Sequence, residues 1–396
     1  MITNADANFR EPEPLFPSFF LGGFECSSHR TGDGRRLDLI ASTGHDRHVT
    51  ADYARLIEEE IYAARDGLRW HLIEATPGHY DFSSVRPMLQ AARDAGLLVI
   101  WDLLHYGWPD DLDIFAPEFV DRFARFASAF ARVWAEESEG VLWIAPVNEI
   151  SFLAWLGGEV GHINPFTIGR GSELKAQLVR AAIAAIEAVW EVVPGARVAQ
   201  VDPVFNIIAH PDRPEEAATA EAYRLTQFEA WDMLSGRERP ELGGHPRYLD
   251  LIGVNYYPWN QWIDNGVGNE GTTIGPDHPG YRPFRSILAE NFERYGRPIF
   301  VAETGTEGDD RGPWFRRIAR EVRAALRLGV PIEGICLYPI VNFPGWDNDR
   351  YCQNGLWDYH DEAGDRSHHS PLAIELARQT RRMELVRRRR SDPIAR

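Results

Sequence analysis

The sequence predicts an α/β protein that folds as a single (β/α)8 TIM barrel with long loops after its strands. Apolar runs of strand length alternate with longer amphipathic segments, which is typical of a parallel sheet with crossover helices. Eight such strand–helix units follow one another, and eight is the number that closes a barrel. The chain has 396 residues, 44% of them hydrophobic, and this size suits a barrel with a few long loops.

One domain is expected over residues 1–396, with 1–17 and 384–396 as terminal extensions. Each strand is predicted from an apolar run that ends in polar or glycine-rich sequence. The predicted strands are 19–27, 68–75, 97–104, 141–147, 197–202, 249–257, the apolar run 299–302 that leads into Glu303, and 334–341.

Helices are predicted where apolar residues recur at helical spacing between these strands. The first begins at Thr50 as a capping residue and ends near Gly67. The others are predicted at 87–96, 117–137, 172–193, 219–234, 284–295, 313–328 and 371–383. Two long loops remain, and the second, 258–282, has the Gly, Asp and Asn content of a surface lid.

Charge and cysteine content limit the partners and the compartment. A formal net charge of −17 repels nucleic acid and anionic lipid, so neither is an expected partner. Residues 1–12 show no signal peptide and the chain no membrane span. Three cysteines without metal-type spacing fit a reducing compartment, so the cytoplasm is expected. The oligomeric state stays open, a homo-oligomer included.

Two predicted buried strands each end on a glutamate. The uncharged run 141–147 stops at Asn148 and Glu149, and the run 299–302 stops at Glu303. A carboxylate in such a place costs stability unless it is paired, so proteins that carry one usually use it. Two carboxyl groups at the strands' C-terminal ends of one barrel suit glycoside chemistry without metal or cofactor. The 13 tryptophans would supply flat faces on which sugar rings stack.

Several motifs resemble a known enzyme family. Pro146-Val-Asn-Glu-Ile150 is similar to the Asn-Glu-Pro motif of clan A retaining glycosidases, and Phe300-Val-Ala-Glu-Thr-Gly305 resembles their Thr-Glu-Asn-Gly signature. Further similar segments are 104–109, 250–257, 294–298, 334–346 and 354–356. In order and over nearly the whole chain, these resemble glycoside hydrolase family one, the β-glucosidase and β-galactosidase group.

The resemblance implies roles for individual residues in hydrolysis of a small β-glycoside with retention. Glu149 would be the general acid/base and Glu303 the nucleophile. Asn148 would bond the sugar 2-hydroxyl, and His105 would contact another sugar hydroxyl. Tyr257, which lies near Asn255 at the end of the predicted sixth strand, would donate a hydrogen bond that orients Glu303. The charge of Arg69 on the predicted second strand would do the same. Tyr338 and Trp346 would form an aromatic platform for the sugar.

Three departures from the family bear on the substrate. Where the family has a glutamine after strand one, this chain has His29 or Arg30. Gly345, rather than a glutamate, precedes Trp346, and Tyr338 replaces a tryptophan. A site built for particular hydroxyls rejects sugars that lack them, so plain glucose is not the expected glycone. If His29 or Arg30 faces the cavity, an anionic or otherwise modified sugar is the expected substrate.

Alternatives remain at each level. Arg69 fits a structural partner of a buried acid equally well, Asn255 and Tyr257 fit packing at the barrel top, and His105 alone would be an ordinary loop histidine. Glu25 and Glu74 are the next candidates if either glutamate is misassigned. The same pair of acids would also serve a transglycosidase, and the changed sugar-binding residues leave room for a non-catalytic carbohydrate sensor. A metal-dependent hydrolase lacks ligand spacing.

Overall fold

The computed structural model describes residues 14–266 and 270–391. Part of each predicted terminal extension, 1–13 and 392–396, therefore lies outside the described residues. The prediction that 1–12 form no signal peptide also falls there.

Eight parallel strands close into a barrel, which confirms the predicted fold. They are β1 (Phe20–Gly23), β2 (Ala63–Gly67), β3 (Leu98–Asp102), β4 (Trp143–Ala145), β5 (Arg197–Pro203), β6 (Leu251–Asn255), β7 (Ile299–Thr304) and β8 (Ile332–Leu337). Each strand pairs with the next in sequence, and β8 pairs with β1 to complete the closure. The C-terminal ends of all eight strands therefore meet at one face of the barrel.

A helix follows each strand on the outside of the barrel. These are α1 (His45–Glu58), α2 (Arg86–Ala95), α3 (Pro117–Glu137), α4 (Gly171–Val192), α5 (Glu229–Ser235), α6 (Phe284–Tyr295), α7 (Arg311–Arg327) and α8 (Ser370–Ser391). A separate helix, Ala217–Leu225, precedes α5. Because α8 continues to Ser391, residues 384–391 belong to the last helix rather than to an extension. No helix in the described ranges is apolar over a length that could cross a bilayer.

Local sequence explains where the helices lie. In α3, Pro117 occupies the first turn, where its missing N–H is not needed. Phe119, Phe123 and Phe126 follow at helical spacing and are fully buried. This apolar face holds the helix against the rest of the protein, and its predicted bounds match the observed ones.

Phe16 closes the barrel at the end where the strands begin. Its ring lies 5.4 Å from that of Trp143 and 5.7 Å from that of Phe300. Phe16 falls in the predicted extension 1–17, yet it is buried in the interior of the barrel. The other end of the barrel is thus the open one.

The predicted second strand is wrong. Strand β2 is Ala63–Gly67, α1 ends at Glu58, and residues Trp70–Ile73 form a short helix. The true strand contains Arg65 and Asp66, which are both fully buried. Two adjacent charged residues hide a strand from a search for apolar runs, because such a search assumes that charges face water.

The predicted lid 258–282 is partly a sheet. Its strands Gln261–Asp264 and Thr272–Thr273 pair with each other, and the first also pairs with Asn206–Ala209 after β5. The resulting three-stranded sheet stands at the open end of the barrel, and Trp262 on its middle strand reaches the cavity described next.

Candidate active site

A cavity of about 740 Å³ opens at the C-terminal ends of the strands. Glu149, which follows β4, and Glu303, in β7, both line it. The aromatic residues on its wall are Tyr106, Phe152, Trp155, Phe205, Tyr223, Tyr257, Trp259, Trp262, Tyr338, Phe343 and Trp346. A wall of this kind, with two carboxyl groups at its base, is suited to a polar ring flanked by an apolar group.

Glu149 is held by neutral hydrogen-bond donors. Its Oε1 accepts from Asn255 Nδ2 at 2.8 Å, and its Oε2 accepts from the Tyr106 hydroxyl. Burial and the neighbouring charge of Glu303 raise the pKa of Glu149 to about 8. The carboxyl group is therefore protonated at neutral pH and can give up a proton.

The backbone around this contact is unusual. Glu149 has φ of 48° and Tyr106 has φ of 65°, both in the left-handed region. Such a conformation costs on the order of 1–3 kcal/mol for each non-glycine residue. It aims both side chains into the cavity, where they are hydrogen-bonded to each other.

Glu303 is held instead by a cation and a phenol. Its Oε1 accepts from Arg65 Nη1 at 2.9 Å, and its Oε2 accepts from the Tyr257 hydroxyl at 2.8 Å. These two hydrogen bonds, one of them from a charged donor, fix the orientation of the Glu303 side chain. Asn255 is the cross-strand partner of Glu303, and its side chain donates to Glu149, so one residue links the positions of the two acids.

Arg65 is the centre of the network beneath the cavity, and it is completely buried. Its Nη2 donates to Asp102 Oδ2 at 2.6 Å and to Asn148 Oδ1 at 2.9 Å. Because Asn148 Oδ1 accepts from Arg65, its Nδ2 faces His105 Nε2 at 3.0 Å. The Nδ1 proton of His105 is then directed at Asp102, 2.9 Å away.

Three predicted site residues lie elsewhere. Arg69 follows β2 rather than lying within it, and it binds Asp38 at 3.0 Å instead of Glu303. Arg65, four residues earlier, takes the predicted role. His29 and Arg30 do not line the cavity; Arg30 is paired with Asp110.

His29 is buried among rings. Its ring packs edge-on against Trp346 at 4.5 Å, and burial lowers the pKa of His29 to about 3. Neither His29 nor Arg30 therefore offers a positive charge to a sugar in the cavity.

The other predicted residues gather around the two acids. His105, Tyr257, Tyr338 and Trp346 line the cavity. The Tyr338 ring also covers the guanidinium of Arg65, 5.3 Å from its centroid. Asn148 and Asn255 have no exposed surface.

Asn255 thus donates to Glu149, whereas Asn148 bonds to Arg65, His105 and Tyr106 rather than to either acid. A bond from Asn148 to a sugar hydroxyl stays a prediction.

Sequence reasoning missed Arg65, Tyr106 and Asp102, and it left Glu25 without a role. Tyr106 lies inside the segment 104–109 that resembles the family, so the motif itself was a usable signal. Asp102 ends a correctly predicted strand, as Glu303 does. Arg65 carried no signal, because its strand was not recognised.

One group of side chains has metal-ligand spacing. The ligand atoms of Cys26, Asp102 and His105 lie within 4.8 Å of one another. Asp102 Oδ2 already accepts from Arg65, however, and burial raises the pKa of the Cys26 thiol well above its usual value. A cation there would lie beside a guanidinium and would need a thiolate, so this donor set does not fit a metal ion.

The outer part of the cavity differs from its base. Trp262 packs against Phe205 and Tyr223, with ring centroids 5.4 and 6.3 Å away. Trp259 stacks on Tyr257 at 5.1 Å. These rings thus form an aromatic part of the cavity wall.

Comparisons with known proteins agree with the geometry. The sequence matches no protein-family model, and no curated protein matches it at a significant level. A β-glucosidase from Thermotoga maritima in complex with glucoimidazole has a TM-score of 0.75 at 14% identity, over 92% of this chain and 99% of that chain. The family 1 β-glucosidase from that organism gives 0.74 at 14% identity, over 94% and 99%.

The same organism's β-glucosidase in complex with castanospermine has a TM-score of 0.72 at 16% identity, over 92% of this chain and 98% of that one. Identities this low establish the fold alone. The chain therefore has the fold of the family 1 β-glucosidases, as the motifs predicted.

Proposed function

We propose that this protein is a glycoside hydrolase that cleaves β-glycosides with retention of configuration. One observation carries the proposal: two glutamates line the same cavity, and only one of them is bonded to a cation. Burial without a cation raises the pKa of Glu149 to about 8, whereas Glu303 accepts hydrogen bonds from Arg65 and Tyr257. Glycosidases of this kind obtain an acid and a nucleophile by holding two carboxyl groups in different surroundings.

In the first step, a Glu303 oxygen attacks the anomeric carbon and forms a glycosyl ester. The bond from that carbon to the leaving oxygen breaks, and the Glu149 proton passes to this oxygen. In the second step, water attacks the same carbon, Glu149 takes the water proton, and the ester to Glu303 breaks. Two inversions give net retention, and both glutamates return to their starting states.

The surrounding residues support each role. Arg65 and Tyr257 stabilise the Glu303 carboxylate before attack and after release. Tyr106 and Asn255 bond to the Glu149 carboxyl and hold it in one orientation, which proton transfer requires. The aromatic mouth would receive the aglycone, and Tyr338 and Trp346 would contact the glycone.

Proton NMR of an aryl β-glycoside during cleavage tests the proposal. We expect the β-anomer of the free sugar to appear first and the α-anomer to follow only by mutarotation. First appearance of the α-anomer would mean inversion and would contradict the proposal. Transfer to an added alcohol in preference to water would instead identify a transglycosidase, and binding without cleavage would identify a sensor.

A further inference from the structure

The mechanism leaves one buried acid of the cavity unused. Glu25, two residues after β1, lines the cavity and is only 8% exposed. Its Oε1 accepts from the backbone N–H of Ser27 at 3.0 Å and from the Ser27 hydroxyl. Its Oε2 has no hydrogen-bond partner among the described residues. Because this oxygen is not among the fully buried atoms, it is open to the space of the cavity and can accept a hydrogen bond from a ligand.

Glu25 lies beside His105 on the cavity wall and within electrostatic range of Glu303. Its Oε1 is 4.0 Å from His105 Nε2, and the charge of Glu303 adds to burial in raising the pKa of Glu25. A sugar bonded to Glu303 therefore lies within the electrostatic reach of Glu25. No lysine or arginine is paired with Glu25 among the described residues.

The charges on the cavity wall favour a cation over an anion. Among the described residues that line it, the carboxyl side chains are Glu25, Glu149, Glu159, Glu229, Glu303 and Glu307. The single lysine, Lys175, already binds Glu229 at 2.6 Å. Arg65 lies beneath the wall and is engaged by Asp102 and Glu303. Glu149 is protonated, and Glu229, Glu303 and Glu307 are paired with Lys175, Arg65 and Arg350. Glu25 and Glu159 therefore carry the remaining negative charge of the wall, which would repel an anionic sugar.

We propose that Glu25 is a specificity-determining residue that binds the ammonium group of an amino-bearing glycone. The inference rests on the proposed function for the position of the sugar. The free Oε2 would accept a charge-assisted hydrogen bond from the ammonium. This assignment replaces the anionic glycone expected from His29 and Arg30, neither of which reaches the cavity.

Binding of three free sugars tests the proposal without catalysis. Titration calorimetry of the whole protein with D-glucosamine, D-glucose and D-glucuronic acid should give affinities in that order. We expect glucosamine to bind roughly ten-fold or more tightly than glucose, the difference typical of one charged hydrogen bond. Glu25→Gln keeps the size of the side chain and an oxygen for Ser27, and it should remove most of this preference.

Glu118→Gln is the matched control, because it removes the same charge from an exposed position on α3. Its preference should equal that of the unaltered protein. Equal affinity for glucose and glucosamine, undetectable binding of glucosamine, or an unchanged preference in Glu25→Gln would each overturn the inference.

Turnover of the matching 4-nitrophenyl β-glycosides separates the two proposals. Cleavage of all three at rates independent of charge would support the hydrolase and contradict the role of Glu25. Charge-selective binding without any cleavage would contradict the hydrolase and leave the role of Glu25 intact.

Discussion

Arg65 and Asp66 are neighbours in β2, yet their side chains enter two different ionic clusters. Asp66 lies in an outer cluster between the barrel and α1, where it binds Tyr53 at 2.7 Å and His45 at 2.8 Å. His45 also contacts Asp52 at 2.8 Å, and Arg366 binds both oxygens of Asp52. Every acid of this cluster has a positive or hydrogen-bonding partner, and its two aspartates raise the pKa of His45 to about 9 despite burial.

The inner cluster is less well compensated. Arg65 shares its one positive charge between Asp102 and Glu303. Among the described residues, no lysine or arginine is paired with Glu149 or Glu25, and burial raises the pKa of both. Full pairing stabilises a fold, whereas an uncompensated acid stores free energy that a substrate or a proton can release. On the proposed function, the inner cluster would serve chemistry and the outer cluster would serve stability.

The largest expected effect comes from the paired acid of the inner cluster. Glu303→Ala should lower kcat by on the order of 10⁴–10⁶, the scale seen when a nucleophile is removed. Azide should restore part of the turnover and give an α-glycosyl azide, because a small anion fits the space left by the side chain. Rates near those of the unaltered protein, measured with an aryl β-glycoside, would show that Glu303 and the inner cluster are not needed for the reaction.

Glu149→Ala should have a smaller effect that depends on the leaving group. Loss of a general acid costs roughly 10²–10⁴-fold for a poor leaving group such as an alkyl alcohol. A 2,4-dinitrophenyl leaving group needs no proton, so the first step should be nearly unaffected. The measurement is the slope of log(kcat/KM) against leaving-group pKa, and an unchanged slope would remove Glu149 from the acid role.

Arg366→Met should break the outer cluster without touching catalysis. It leaves Asp52 short of its main cation, and loss of a buried partner costs about 3 kcal/mol of unfolding free energy. Denaturant unfolding measures this loss of free energy. We expect kcat to stay within about two-fold of the value for the unaltered protein. Arg247→Met, which breaks a surface pair with Glu187, should cost no more than about 1 kcal/mol. Equal losses of unfolding free energy in the two variants would show that the outer cluster stabilises the fold no more than a surface ion pair does.

The smallest effect should be a shift in pH dependence. With Glu149 as the acid, kcat/KM should fall as pH rises through about 8, where this group loses its proton. The Tyr106 hydroxyl bonds to the carboxylate and lowers the pKa of Glu149, so Tyr106→Phe should move the alkaline limb upward by about one unit. Tyr62→Phe, at the surface, should leave it in place; a downward shift in Tyr106→Phe would contradict the assignment.

The sequence was informative where apolar side chains are buried and polar side chains face water. Strands β3 and β7 and helices α3 and α6 follow apolar patterns, so their positions could be predicted closely. The glutamates were visible for the opposite reason, since each is a charged residue at the end of an apolar run.

Prediction failed where several charged side chains are buried together. Arg65 and Asp66 make β2 look like the end of the first helix, which moved the predicted strand to 68–75 and the expected cation to Arg69. Tertiary contacts alone decide that Glu25, rather than His29 or Arg30, reaches the cavity from the first strand. Spacing along the chain carries no information on such contacts.

The three-stranded sheet at the mouth has a consequence for how leaving groups are chosen. Because Trp262 stands on a hydrogen-bonded strand, this wall of the cavity is preorganised, and an incoming aglycone spends little conformational entropy in ordering it. Exchange of its aromatic residues should then retune the preferred aglycone while the two glutamates, anchored on other strands, keep their geometry. In the proposed hydrolase, recognition of the departing group and cleavage of the glycosidic bond would thus depend on separate pieces of backbone, each open to change without the other.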